Sequence, residues 1–421
     1  VGFIPKPDGR LRPLGMAALE DKIVQRALSE VLNAIYEEDF LGFSYGFRPE
    51  RSQHDVLDAL AVGIERARVN WVLDADIAGF FDAVSHDWLI RFAEHRIGDR
   101  RVIRLIRKWL KAGVMEDGVE TPSEAGTPQG AVISPLLANI YRPYVFDLWA
   151  HRWRRRHARG KVILVRYADD IVAGFEHKAD AERFLADLHK RLAGFALALH
   201  PDKTRLIEFG RFAATNRERA GLGKPETFNF LGFTHICGRS RKGRFQLRRK
   251  SRSDRMQAKL RALKAELTRR RHQAIPDQGR WLKRVVIGWY NYHAVPTNGP
   301  ALGAFRDRVT ELWFRALRRR SQKDRTKWDR IRRIAGQWLP KPRILHPWPS
   351  ARFAVTHPRS KVGAGCLNRA RPVLCGGRSA MNVPTAIALF FCCSPAARFR
   401  HRRRGNASRA EQNLAKCALS P

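Results

Sequence analysis

Apolar positions along this chain change period several times, and each change predicts an element. Between residues 19 and 35 they fall at 23, 24, 27, 28, 31, 32 and 35, the spacing of an amphipathic helix. The stretch WVLDADIAGFFDAV (71–84) reads differently: Val72, Leu73, Ala75 and Ile77 make a short apolar run that breaks at Gly79, which predicts a buried strand, and helical spacing returns over 88–112. A turn cluster, Thr127-Pro128-Gln129-Gly130, precedes a helix expected to begin near Ser134. VILVRY and IVAGF predict two short strands around the turn Ala168-Asp169-Asp170, and a helix over 179–197 leads to LHPDKTRLIEFG and FNFLGF. Strands and helices thus succeed one another over residues 1–238.

Composition changes after Gly238. Residues 239–271 carry fifteen Lys and Arg against two acids, while Met256, Leu260, Leu263 and Leu267 lie on one helical stripe. Two further helical patterns, near 279–293 and 301–320, complete an expected basic helical domain over 239–345. Residues 346–421 are expected to be a poorly ordered basic tail. Five of the six cysteines lie in it, without a C-x-x-C pair that would point to zinc.

Charge then narrows the partner. The 421 residues hold 80 Lys and Arg against 40 Asp and Glu, a net charge of +40, which excludes an ordinary neutral metabolic enzyme. With 44% hydrophobic residues and eleven Trp the charge sits on folded bodies, and its simplest match is a polyanion, nucleic acid above all. The apolar run at 383–393 is too short to span a bilayer, so no membrane is expected. Only Cys237 precedes residue 360, which fits a reducing, cytoplasmic setting. The chain opens at Val1 and runs at once into GFIPKPDGRLRPLG, so a preceding segment is expected to be missing.

Candidate chemistry centres on Asp76, Asp169 and Asp170, each beside a strongly apolar strand. A carboxylate in such surroundings is costly unless it binds a cation, and hard oxygen donors without a His/Cys cluster suit magnesium better than zinc. Two such ions, ~3.5–4 Å apart, would serve phosphoryl transfer.

RYADD between apolar strands resembles the Tyr-x-Asp-Asp catalytic motif of reverse transcriptases. DIAGFFD resembles their first catalytic-aspartate motif, IPKPDGRLRPLG their fingers motif, and TPQGAVISPLLANIY the motif before the hairpin. SYGFRPERSQHDVL (44–57) and WLKRVVIGWYNYHAVPTN (281–298) narrow the likeness to group II intron-encoded proteins, in which a reverse transcriptase precedes a maturase domain. The resemblance covers residues 2–357 and implies a right-hand polymerase, with partial fingers and a ferredoxin-like palm of α+β type followed by an α-helical thumb and maturase domain.

The resemblance implies Asp76, Asp169 and Asp170 as ligands of two Mg2+ ions, and Lys6 and Arg12 as contacts of the incoming triphosphate. It implies Phe81 as the ring that excludes a ribose 2′-hydroxyl, Gln129 as a nucleotide contact and Tyr167 as a primer contact. The cationic run Arg248, Arg249 and Lys250 is the expected RNA contact, whereas Trp281, Trp289, Tyr290, Tyr292 and Trp313 are either core or stacking platforms. Implied partners are intron RNA, an RNA template with a DNA primer, deoxynucleotide triphosphates and target DNA, in a nucleoid-associated protein. Ala131 stands where the family usually has a second Gly, and Ala78 where it usually has Lys. Two other readings remain at this stage: a polymerase-inactive maturase acting only as an RNA-binding splicing factor, and a reverse transcriptase without an intron.

Overall fold

The computed structural model describes residues 2–5, 11–15, 17–112, 114–116, 119–121, 125–127, 130–323 and 326–356. These fall into two compact units that part between Glu208 and Phe209.

The first unit opens with the antiparallel hairpin β1 (Gly2–Pro5) and β2 (Leu11–Leu14), followed by helices α1 (Leu19–Tyr36) and α2 (Gln53–Arg66). Ser52 starts α2 as expected of a capping box: its hydroxyl accepts from the Asp55 N–H while the Asp55 carboxylate accepts from the Ser52 N–H. Strand β3 (Trp71–Asp76) leads through α3 (Phe80–Ala83), α4 (His86–Glu94) and α5 (Arg100–Lys111) to the hairpin β4 (Val114–Glu116) and β5 (Val119–Thr121). Helix α6 (Ser134–Arg142) passes through a π-helical turn, Pro143–Asp147, into α7 (Leu148–Arg156). Strands β6 (Val162–Tyr167) and β7 (Asp170–Phe175), helix α8 (Lys178–Ala193) and β8 (Arg205–Glu208) complete the unit.

Strands β3, β6, β7 and β8 make one antiparallel sheet in the order β6-β7-β3-β8. The chain order β3, helices, β6, β7, α8, β8 is a β-α-β-β-α-β succession. Val162, Ile163, Leu164 and Val165 are all buried, because both faces of β6 are covered and an alternating pattern has no solvent side to follow. Phe184, Leu188 and Leu192 of α8 join Phe92, Ile140, Tyr141 and Phe175 in the same core. Phe92 lies stacked on Tyr144, centroids 4.4 Å apart. Each such fully buried side chain contributes roughly 1.5–3 kcal/mol.

The second unit begins with α9 (Ala213–Arg219) and a three-stranded sheet, β9 (Phe228–Phe230), β10 (Phe233–Arg239) and β11 (Phe245–Ser251), in the order β11-β10-β9. Helices α10 (Ser253–Arg269), α11 (Ile275–His293), α12 (Gly299–Arg318), α13 (Trp328–Trp338) and α14 (Pro349–Thr356) follow. The stripe on α10 turns inward through Leu263 and Leu267, to meet Leu282, Val286, Phe305, Val309, Trp313 and Ile331. Trp313 is fully buried and donates to the Gln278 side-chain oxygen at 2.7 Å, and Tyr290 is buried with it. Trp289 stacks on His293 and Phe305. Those three aromatics are core.

Two expected boundaries move. The composition change at 238 falls inside β10, which pairs along its length with β11. The cations mark the solvent side of this hairpin and of α10, not the edge of a packing unit. The expected tail from 346 begins with the helical turns of α14, where Phe353 is buried. Residues 357–421, with the five cysteines that lack a C-x-x-C pair, lie outside the described residues.

Candidate active site

The sheet brings the three aspartates to one end. β3 and β7 pair so that Asp76 stands directly opposite Asp170, and the two-residue turn Ala168-Asp169 joins Tyr167 to Asp170. Opposed residues of an antiparallel pair have Cβ atoms about 4.5–5.5 Å apart, and like charges there repel. Ala168 holds φ +55, the left-handed conformation that such a tight turn asks for and that a Cβ makes costly.

Electrostatics record the crowding. Asp170 is exposed by area, yet the protein packed around its carboxylate, and next the charges of Asp169 and Asp76, push it up to about 6, against the pull of Lys203 and Arg142. Because the side chain keeps access to water, the neighbouring carboxylates are the more durable cause. Lys203 bonds to Asp76, with Nζ 2.7 Å from Oδ2. It comes from the turn after α8, held to β3 by the His200 N–H donating to the Asp76 carbonyl and the Ala78 N–H donating to the Ala198 carbonyl. Lys203 was not singled out from the sequence; the signal was LHPDKT, a helix-ending turn with a cation.

Among the described residues no group of three His, Cys, Asp or Glu side chains could by itself hold a metal ion. The donors nevertheless suit Mg2+, which takes one or two carboxylates and fills its octahedron with water and substrate phosphate. Lys203 already places a cation against Asp76, so positive charge fits at this end of the sheet.

A clamp holds the hairpin from behind. Arg166, the residue before Tyr167, is buried and forms a bidentate pair with Asp147, Nε to Oδ1 at 2.7 Å and Nη2 to Oδ2 at 2.6 Å, while Nη1 donates to the Ala168 carbonyl. Removing one partner from such a buried pair typically costs about 3–5 kcal/mol. Its backbone pairs with the 43–45 segment: the Tyr45 N–H donates to the Arg166 carbonyl and the Arg166 N–H to that of Phe43. Asn139 donates to the Gly46 carbonyl at 2.8 Å, and Gln53 to the Tyr167 hydroxyl at 3.2 Å. SYGFR, which from sequence served only to narrow the family, is thus the backing of the Tyr-x-Asp-Asp turn.

Phe81 lies one short turn beyond β3 and is partly buried. The Thr127 N–H donates to its carbonyl at 2.7 Å and the Gly126 N–H to that of Val84, which ties the segment before Gln129 to this turn. Gly130, at φ +106, lies so close to Gly15 that a Cβ would sit 2.7 Å from the Gly15 oxygen, and Gln25 of α1 accepts from the Val132 N–H. The positive φ belongs to Gly130; Ala131 has none, so its Cβ brings no strain there. Gln129 and Lys6 lie outside the described residues. Arg12 stands opposite Ile4 in the first hairpin.

The basic triple splits. Along β11 the burial alternates, so Arg248 and Lys250 are exposed while Arg249 is buried. Strand period two turns Arg249 away from solvent, opposite His235 of β10, and removes it from the expected RNA-facing set.

Comparison with known proteins places the chain. Residues 4–235 match the model of the reverse transcriptase (RNA-dependent DNA polymerase) family. The chain is similar to protein YkfC of Escherichia coli (strain K12), 34% identical over 276 residues, or 58% of this chain and 68% of that protein. It is also similar to the group II intron-encoded protein LtrA of Lactococcus lactis subsp. cremoris, 42% identical over 136 residues that cover 32% of this chain and 22% of LtrA. A solved apo telomerase from Candida tropicalis overlaps 54% of this chain and 45% of its own at 13% identity and a TM-score of 0.40, too loose a likeness to add weight. The chain therefore belongs to the reverse transcriptase family, and within it to the group II intron reverse transcriptase/maturases.

Proposed function

We propose that this chain is an RNA-directed DNA polymerase that extends a DNA primer on an RNA template and also binds the RNA of its intron, assisting splicing and mobility. The observation that carries the catalytic part is the register of β3 on β7, which sets Asp76 against Asp170 with Asp169 in the adjoining turn. A protein kept only for RNA binding gains nothing from three like charges at one sheet end, and loses stability to their repulsion. That argument favours the enzyme over the splicing factor that has lost its polymerase.

In this reading the first unit supplies fingers and palm. Asp76, Asp169 and Asp170 would hold two Mg2+ ions, which when bound would activate the primer hydroxyl and neutralise charge on the transferring phosphate. The chain's own residues do the rest. Arg166 and Asp147 keep the turn rigid, so the carboxylates are in place before substrate arrives. Tyr167, braced by Gln53, lies where the primer end would rest. Phe81 meets the sugar, and Lys6, Arg12 and Gln129 are the proposed contacts of the nucleotide. Lys203 offers a solvent-exposed cation beside Asp76 for the triphosphate.

The second unit is the proposed thumb and maturase part. Its exposed cations, Arg248 and Lys250 on β11 and Arg255, Lys259, Arg261 and Lys264 on α10, make a surface for phosphates of the template–primer duplex and of intron RNA. Target DNA is a further proposed partner. No helix among the described residues is long and apolar enough to cross a membrane.

The test is primer extension on an RNA template with Mg2+ and deoxynucleotides, run beside RNA binding. The natural chain should extend the primer, and Asp76→Asn should bind RNA equally well while extension falls by several orders of magnitude, on the scale lost when transition-state charge stabilisation is removed. Tight RNA binding with no extension by the natural chain would leave the splicing-factor reading standing instead.

A further inference from the structure

Behind the turn that carries Phe81 lies a cation that no described residue pairs directly. Arg142, the last residue of α6, is 1% exposed, and none of its three guanidinium nitrogens has a hydrogen-bond partner among the described residues. Its guanidinium carbon is 4.0 Å from the centre of the Phe80 ring and 5.5 Å from that of Phe81. The two rings stand at 83° with centres 5.6 Å apart, so the cation occupies the corner between them. Burial, and then the charge of Arg166, push Arg142 down to about 9, with Asp169, Asp147 and Asp170 pulling the other way, and it remains charged at neutral pH.

A leucine or methionine would fill this corner without the penalty of an unpaired buried charge. What the charge adds is attraction to the faces of both rings, a directional force that apolar packing lacks. The Phe81 main chain is already anchored by the bond from Thr127, so its ring is the part left to be set, and that ring lies against Phe80 and Arg142.

We propose that Arg142 is a positioning residue for Phe81: by holding the two-ring corner it sets how far the Phe81 ring projects toward the sugar, and so tunes selection of deoxyribonucleotides over ribonucleotides. This rests on the reading of Phe81 as the sugar-selecting ring. Arg142 acts through Phe81 and does not touch the nucleotide.

The experiment measures affinity for dGTP and for GTP in the presence of Mg2+, with the full chain on an RNA template carrying a chain-terminated primer. The proteins are the natural chain, Arg142→Leu, Arg142→Lys, Phe81→Ala and the double variant Arg142→Leu/Phe81→Ala, each with a melting curve. Arg142→Leu should melt at or above the natural temperature and lower the dGTP preference about tenfold, the scale of a desolvated cation–ring attraction. Arg142→Lys should recover part of that preference, and the double variant should match Phe81→Ala alone, because residues acting in series do not add. A folded Arg142→Leu whose preference stays within about twofold of the natural chain overturns the proposal, since that is inside the usual spread of independent effects. Equal weakening of both nucleotides overturns it as well, because the cation would then act on the carboxylates. Should Arg142→Leu not fold, Arg142→Lys decides alone: a full loss of preference with the cation retained would overturn the proposal, and a partial loss would support it. If Phe81→Ala leaves the preference unchanged, or the natural chain binds neither nucleotide, the reading of Phe81 falls and takes this with it. If Phe81→Ala relaxes the preference and Arg142→Leu does not, only the role of Arg142 falls.

Discussion

Gly46 lies against Ala168 so closely that a Cβ on Gly46 would overlap the Ala168 backbone nitrogen and stand 3.0 Å from its Cα. The glycine of SYGFR thus gives the Tyr-x-Asp-Asp turn the space it occupies. Gly46→Ala must push the turn outward, and overpacking of this kind costs about 1–3 kcal/mol. The expected result is a lower melting temperature together with a loss of primer extension larger than the destabilisation explains. Unchanged melting and extension would mean that the turn is not held at this distance.

Lys203 and Asp76 make a second specific contact, at 2.7 Å. A lysine there competes with any divalent ion for the same carboxylate. Lys203→Gln is expected to tighten Mg2+ binding in titration calorimetry by a few-fold, in line with the modest worth of a solvent-reachable pair. The same variant should slow nucleotide incorporation if the cation also serves the triphosphate. Weaker Mg2+ binding would show that Lys203 organises Asp76 and does not compete for it.

The alternation along β11 separates three neighbouring cations. Arg248→Ala and Lys250→Ala should each flatten the salt dependence of RNA binding by up to about 0.7–0.9 log units per lost phosphate contact. Arg249→Met should leave that slope alone and change unfolding only. Filter binding across a salt series checks both, and an Arg249→Met slope shallower than the natural one would put its side chain on the RNA.

His235 gives the second unit an acid limit. Burial, and then the facing Arg249, push it down to about 3, below its ordinary value of 6.5, and burial pushes His293 down to about 4. The unfolded chain therefore takes up protons that the folded one refuses. Stability is fully present above pH 6.5 and is lost as pH falls through the window toward those lowered values. At pH 5 each residue should have removed on the order of 2 kcal/mol. His235→Phe, which keeps a ring stacked on Phe228, should cut the acid loss by the share of one group in denaturant unfolding at pH 7 and pH 5. Equal losses with and without His235 would show that it titrates normally.

What the sequence made legible was local. Asp76, Asp169 and Asp170 stood out because carboxylates beside apolar runs are conspicuous, and the strands around them follow from the same runs. Their alignment, Asp76 on Asp170, is a matter of register between segments about ninety residues apart, on which periodicity is silent. The same holds for Asp147 under Arg166, Gly46 under Ala168 and Lys203 on Asp76, each a partner distant in the chain. Arg249 was misread because a run of like residues hides the alternation that burial imposes on a strand. The packing division was illegible for a related reason: composition reports surface charge, whereas Glu208 and Phe209 divide two packings.

The π-helical turn at Pro143–Asp147 puts the two halves of one long rod out of phase. Ahead of it, the rotation of α6 aims Asn139 at Gly46 and Arg142 at the two phenylalanine rings. Beyond it, α7 aims Trp153 at Asp187, with Ala150 buried on the same side. Taking out one residue between 143 and 147 would restore an unbroken 3.6-residue winding and swing everything downstream by about 100°. Only one half could then keep its bearings, so the length of this turn is as constrained as the identity of any side chain around it.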